Sequence, residues 1–397
     1  MFSFDTAPSR RGTNCLKWDT VPEDVIPMWV ADMDFETAPC IMKAVQERAK
    51  HGAYGYTAVP RSFYESICNW FSKRHGWTPD PSWIIPTTGV VPAFSACLEA
   101  FTKPGDKVLM LTPIYNCFYS SIRNYGCKAL EVPLATVIKD GRPYYEIDFE
   151  DFEKAAGEEN VKVMVICSPH NPAGRVWTRE ELHRVGEVCL RHGIVPVVDE
   201  IHCEFTFPGV EFVPFASVSP EFEEKSVILG SCTKAFNIAG LQIANVICKN
   251  DEMRAKVDKA INVNEICDVN PFGVVAMQAA YTDEGAQWMN DLNVYFEKAY
   301  KRLDSLLSAE VPEVRLYKMD GTYLAWLDCT ALCFGEDGKL RMTSQELVDD
   351  IEEHERVKLN SGSMYGDEGF IRVNLATTPD FLEEGFSRMI KGFKRLR

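Results

Sequence analysis

Residues 226–237 read Ser-Val-Ile-Leu-Gly-Ser-Cys-Thr-Lys-Ala-Phe-Asn. The apolar run from Ser226 to Gly230 predicts a buried strand, and Lys234 follows directly on its end. In open α/β sheets that is where ligands are held, outside the carboxyl ends of the strands. Hydroxyls at Ser231 and Thr233 flank the lysine. A lysine beside hydroxyls able to hold a phosphate suggests a Schiff base to a phosphorylated aldehyde, pyridoxal 5′-phosphate (PLP). Most lysines are solvated surface charges, so this reading depends on the rest of the chain.

Working outward, residues 194–199, 161–167, 107–111, 83–88 and 243–248 are further short apolar runs that predict strands. Residues 90–101 predict a helix, and another opens at Thr178, where Thr178 and Glu181 have capping-box spacing. Strands alternating with helices imply a mainly parallel sheet covered on both faces. The first 40 residues, with Pro8, Pro22, Pro27 and Pro39, predict an irregular arm ahead of a helix over 41–51 that ends at Gly52. A helix over 287–308 is expected to lead into a smaller C-terminal domain. That domain would hold a strand at 322–327, a helix opening at Thr343 with Glu346 completing its capping box, a strand at 371–375 and a last amphipathic helix at 379–395. The expected division is an N-terminal arm belonging to the small domain (1–45), a large cofactor domain (46–286) and a small domain (287–397).

Bulk composition narrows the function. The chain has 397 residues, 46% hydrophobic and 25% charged, which suits a soluble globular protein of more than one domain. Its 42 Lys and Arg against 58 Asp and Glu give a net charge of −16, which repels nucleic acid and anionic membranes and excludes both as expected partners. No apolar run approaches the roughly 18 residues that span a bilayer. The N-terminus lacks a basic region followed by an apolar stretch, so a cytoplasmic location is expected. The 14 cysteines are scattered; Cys97, Cys167, Cys189 and Cys248 lie in apolar runs, as small buried hydrophobes do in a reducing compartment. Neither the Cys329/Cys333 spacing nor the His202-Cys203 pair builds a four-ligand site, so no metal is expected.

Several residues then compete between structural and chemical readings. Asp199 ends a buried strand, where a carboxylate is costly unless paired; it is a cap or internal ion pair, or the partner of a protonated pyridine nitrogen. His202 is three residues on, within reach of the same ring. Asn171, between Pro169 and Pro172 in a stiff loop, forms a plain Asx turn or presents its amide to a phenolic oxygen. Gly89 and Val90 open a helix after a strand, a common turn and also a ready phosphate cradle. Tyr115 packs in the core or stacks on a cofactor ring. Arg372, between apolar neighbours, needs an anion: a buried acid or an α-carboxylate.

Taken in this order the segments resemble the fold-type-I PLP enzymes of the aminotransferase class I/II superfamily, and more closely its MalY/PatB-type cystathionine β-lyase (C–S lyase) branch. The residues that carry the resemblance are 27–35, 54–57, 86–92, 167–177, 199–202 and 233–241. It implies an α/β fold, with a mainly parallel seven-stranded sheet between helices in the large domain and a smaller α+β C-terminal domain. It implies that Lys234 carries the cofactor and moves the Cα proton, and that Asp199 pairs with the ring nitrogen. Asn171 and His202 would hold the ring's 3′-oxygen, and Tyr115 would stack on the ring. Gly89, Val90, Ser231 and Thr233 would hold the phosphate, with Tyr56 reaching the neighbouring subunit of a homodimer. Arg372 would bind the substrate carboxylate near Trp29 and Ala31, with Asn171 alongside. Two positions depart from relatives. Gln242 stands where many aminotransferases have an arginine on the phosphate, and Asn116 stands where some C–S lyases have a second tyrosine.

The expected reaction is β-elimination from a sulfur-bearing L-amino acid, such as cystathionine or a cysteine S-conjugate, giving thiol, pyruvate and ammonia. The same residues also serve transamination between an L-amino acid and a 2-oxo acid. A non-catalytic regulator that keeps the cofactor for shape is the reading from another class, and the intact Lys234, Asp199 and Arg372 argue against it.

Overall fold

The computed structural model describes residues 1–263 and 268–397. Seven strands form the central sheet: β1 (Ile84–Thr87), β2 (Lys107–Thr112), β3 (Lys128–Pro133), β4 (Val161–Cys167), β5 (Val195–Asp199), β6 (Val227–Gly230) and β7 (Ala244–Ile247). Their spatial order is β1-β7-β6-β5-β4-β2-β3, with β7 antiparallel to both neighbours and every other pair parallel. Residues alternate between two cores: in β4, Met164 and Ile166 enter one, and Val163, Val165 and Cys167 the other. Strands buried on both faces must be apolar throughout, which is why six were legible as runs without alternation; β3, at the edge and largely exposed, was not. Register aligns Cys167 with Asp199 and Asp199 with Leu229, so the segments leaving β4, β5 and β6 open at one end of the sheet.

A second, antiparallel sheet holds β8 (Arg315–Leu316), β9 (Leu324–Asp328), β10 (Asn360–Ser361) and β11 (Phe370–Asn374), in the order β8-β9-β11-β10. The 28-residue helix Asp283–Glu310 leads to it, capped at its start by the Thr282 side chain on the Gly285 N–H. Both capping boxes form, at Thr178/Glu181 and Thr343/Glu346. The N-terminal arm is less irregular than expected. It contains a short helix, Leu16–Asp19, and Ile26–Pro27 pair in parallel with Val357–Lys358. The first long helix is Pro39–Lys50, because Pro39 suits the first turn, where no N–H is needed.

Sequence periodicity did not single out the helices Arg61–His75, Asp251–Val263 and Pro271–Ala280, nor the hairpin Ala135–Lys139/Arg142–Glu146. The hairpin carried a signal: its turn is Asp140-Gly141, both at positive φ (53° and 77°), as a tight hairpin turn requires. Among the described residues no helix is long and apolar enough to cross a membrane.

Candidate active site

A cavity of about 220 Å³ opens at the carboxyl ends of the parallel strands, lined by Ala31, Gly89, Val90, Val91, Pro92, Tyr115, Cys167, Asn171, Asp199, Ile201, His202 and Lys234. Each chemical residue arrives from a different strand end: Gly89 and Val90 beyond β1, Tyr115 beyond β2, Asn171 beyond β4, Asp199 at the last position of β5, and Lys234 beyond β6. The convergence follows from parallel pairing, which points every strand's exit the same way.

Lys234 Nζ donates to the Ala31 carbonyl at 2.8 Å. Burial lowers its pKa below the ordinary lysine value; Asp32, Cys117 and Asp199 oppose that shift and Arg372 adds to it. Asp199 is buried and accepts only the Ile201 N–H at 3.0 Å, with no ion-pair partner among the described residues. Burial pushes its carboxyl up to about 7, against smaller opposing effects of the Ile201 N–H and Lys234. His202 is buried with Nδ1 unpartnered, and burial, Lys234 and Arg372 drive it down to about 3, so the ring is neutral. Tyr115 is half-buried, immediately precedes the helix Asn116–Asn124 without capping it through its side chain, and packs edge-on against Phe118 with centroids 5.7 Å apart.

Arg372 is buried on β11. Its Nη1 donates to Asn171 Oδ1 at 3.2 Å and its Nη2 to the Trp29 carbonyl at 3.0 Å, while Nε has no partner. The guanidinium lies over Tyr365, 4.7 Å from the ring centroid. Among the described residues no carboxylate pairs with it, so the buried ion pair offered by the sequence as one alternative is not what holds it. A buried cation facing only neutral acceptors is incomplete until an anion arrives.

The helix Val90–Phe101 begins at Gly89 with no side-chain cap, leaving the Val90 and Val91 N–H groups directed to the cavity end. Ser231 and Thr233 stand just behind. Their hydroxyls are 2.8 Å apart, Ser231 Oγ donates to the Ile243 carbonyl at 2.6 Å, and it accepts the Thr233 N–H at 3.0 Å. Neither lines the cavity directly. Tyr56 lies outside it altogether, 99% exposed in the segment before the helix Arg61–His75. Gln242 is exposed as well, at φ +47°.

Residues 29–35 form a strap across the mouth, held through its carbonyls. Trp29 accepts from Arg372 and, at 2.8 Å, from Asn360 Nδ2; Val30 and Asp32 accept from Asn374 Nδ2. Asn237, three residues after the lysine, donates to the Met33 and Phe35 carbonyls at 2.9 and 2.8 Å and accepts the Met33 N–H at 3.0 Å. Sequence reading missed Asn374 as a site residue, although it shares a strand face with Arg372 two positions away. It also missed Tyr323, whose hydroxyl donates to the Ala31 carbonyl at 3.0 Å. Nothing in an apolar strand announced a phenol aimed at the arm.

These features fit PLP. The uncapped helix start suits a phosphate, the unpaired Asp199 a protonated ring nitrogen, the unpartnered His202 Nδ1 a ring substituent, and Lys234 an aldehyde.

Known proteins similar to this chain point to the same cofactor. Residues 23–389 match the family described as aminotransferase class I and II. The chain is 39% identical to cystathionine beta-lyase PatB of Bacillus subtilis over 98% of both chains, and 30% identical to protein MalY of Escherichia coli over the whole of both. Among solved structures it is similar to cystalysin from Treponema denticola, which contains a pyridoxal 5′-phosphate cofactor (TM-score 0.92, 31% identity, all of both chains). It is also similar to the PLP-bound C-S lyase from Staphylococcus hominis (TM-score 0.90, 30% identity, 99% of both chains).

Proposed function

The chain belongs to the class I and II aminotransferase family, and on that premise we propose that it is a PLP-dependent carbon–sulfur β-lyase acting on L-amino acids with sulfur at Cβ. The observation that carries the lyase reading is the full-length similarity to PatB, joined to a buried Arg372 that lacks a counter-ion beside Lys234. When bound, PLP supplies an aldehyde that captures the substrate amine and a ring that draws charge away from Cα.

The chain's own residues do the rest. Arg372 takes the substrate carboxylate, and Asn171 and the Trp29 carbonyl fix the guanidinium plane so that this contact also sets the orientation of Cα. Lys234 Nζ, biased toward the neutral amine by burial, removes the Cα proton and is placed to return one to the departing sulfur. The three-carbon remainder hydrolyses to pyruvate and ammonia. Asp199 keeps the proton on the ring nitrogen, because its buried carboxylate has no other cation to pair with. The Gly89–Val91 backbone and the Ser231/Thr233 hydroxyls hold the phosphate, Tyr115 faces the ring, and Asn171 and His202 bound its 3′-oxygen.

The proposal includes a homodimer in which Tyr56 serves the neighbouring site; its near-complete exposure away from its own cavity supports this. It also includes the division into arm (1–45), cofactor domain (46–286) and small domain (287–397), supported by the pairing of Ile26–Pro27 with Val357–Lys358. A cytoplasmic location fits the free cysteines, most of them buried. The test is a product assay on the cofactor-loaded protein with L-cystathionine and no added 2-oxo acid. Pyruvate and homocysteine released in equal, continuing amounts are expected. A single-turnover shift of the cofactor to its pyridoxamine form, with a 2-oxo acid as product, would make the protein an aminotransferase instead.

A further inference from the structure

The Ala31 carbonyl accepts two hydrogen bonds, from Lys234 Nζ at 2.8 Å and from the Tyr323 hydroxyl at 3.0 Å. A carbonyl oxygen has two lone pairs, so both are taken. Tyr323 is fully buried and cannot swing away: its ring packs against Phe205 and Phe296, with centroids 4.9 and 5.3 Å apart, and lies 6.3 Å from His202. Among the described residues the Ala31 carbonyl is the single hydrogen-bond acceptor of the lysine amine. An ammonium group carries three N–H donors and is poorly served by one acceptor. A neutral amine has one N–H fewer to satisfy and keeps a lone pair for a proton.

We propose that Tyr323 is a positioning residue for Lys234: by occupying one lone pair of the Ala31 carbonyl, it leaves the freed lysine a docking point that suits a neutral amine turned toward the cavity. The inference rests on the reading of Lys234 as the base at Cα. The charged and titratable groups around the amine mostly favour its charged form, and burial is what opposes them. Asp32 from the strap and Asp199 from β5 favour the ammonium; Arg372 from β11 opposes it. Cys117, from the helix Asn116–Asn124, acts in the same direction as the two aspartates, and His202 is neutral. Against that majority stand burial and an acceptor whose second lone pair Tyr323 already holds, so the strength of the Ala31 carbonyl as an acceptor bears directly on the amine.

The test titrates Lys234 in the full-length chain stripped of cofactor, from the pH dependence of its acylation rate, alongside the pH profile of kcat in the loaded enzyme. Tyr323→Phe frees a lone pair on Ala31, so the lysine pKa is expected to rise by about half a unit or more. The acid limb of kcat should move up with it, with KM unchanged and activity recovered at alkaline pH. Placing 3-fluorotyrosine at position 323 keeps the packing and strengthens the donor, so it should move the pKa the other way. Tyr295→Phe is the control, since that hydroxyl donates to the Thr377 carbonyl and does not share the lysine's acceptor. An unchanged lysine pKa in the position-323 variants, or an equal shift in Tyr295→Phe, overturns the proposal. The acylation readout decides this even if thioether substrates prove inert, so failure of the lyase reading stays distinguishable.

Discussion

At the scale of single residues, the site is a set of buried groups left incomplete by the protein alone. Lys234→Ala should lower pyruvate release by about 10³-fold or more, because it removes both the covalent anchor and the proton carrier; substantial residual elimination would refute the scheme. Arg372→Leu is expected to cost about 3 kcal/mol of carboxylate binding, or about 150-fold in kcat/KM, chiefly through KM. Arg372→Lys should recover only part of this, since an ammonium cannot reproduce the fork held by Asn171 and Trp29. Asp199 gives a pH signature. Its folded pKa of about 7 lies above the usual carboxyl value of 3.8, so the native state holds the proton longer than the unfolded chain. Stability of the cofactor-free protein should therefore fall as pH rises from about 4 to about 7, with the full penalty present above that. Glu200, pushed up to about 8, acts in the same direction, so the comparison to make is with Asp199→Asn. That variant should melt higher than the parent at pH 8 and about equally at pH 4; a pH-independent difference would count against the assignment.

At the scale of elements, the strap 29–35 is held by Arg10 from its own N-terminal segment, on the Met33 carbonyl, and by donors from two further places. Arg372, Asn360, Asn374 and Tyr323 reach it from the antiparallel sheet and its edge, and Lys234 and Asn237 from the loop after β6. Asn237 makes three of these bonds at φ +55°, a conformation that asparagine tolerates better than most residues. Asn237→Ala is expected to cost about 2 kcal/mol in urea unfolding and to lower activity through a loosened strap. Local sequence made much of the element plan visible. Both capping boxes were legible because their bonds close within three residues, and six of the seven sheet strands because they are apolar runs; the edge strand β3, largely exposed, was missed. The helices Asp251–Val263 and Pro271–Ala280 were not. The first buries only Val257, Ala260 and Ile261, too few apolar positions to mark a face, and the second is apolar nearly all round.

At the scale of the whole molecule, the proposed dimer makes the site a shared object. A Lys234→Ala chain still offers its Tyr56, and a Tyr56→Ala chain still offers its lysine. Mixing the two poor variants under subunit exchange should restore about a quarter of the wild-type sites, because half of randomly formed dimers are hybrids with one complete site. No recovery would place Tyr56 outside the neighbour's site. The sequence by itself determined the strand–helix alternation, the strand ends that carry Lys234, Asp199 and Asn171, and through its motifs the family. These are encoded in periodicity and in spacings of a few residues. The tertiary structure alone decided which distant groups meet: Lys234 with Ala31 across 203 positions, Tyr323 with the same carbonyl across 292, and Arg372 with Trp29 across 343. Periodicity records which face of an element is buried. Which backbone carbonyl a buried donor finds is set by how the N-terminal segment, the ends of the central sheet and the antiparallel sheet pack together, and no local pattern carries that.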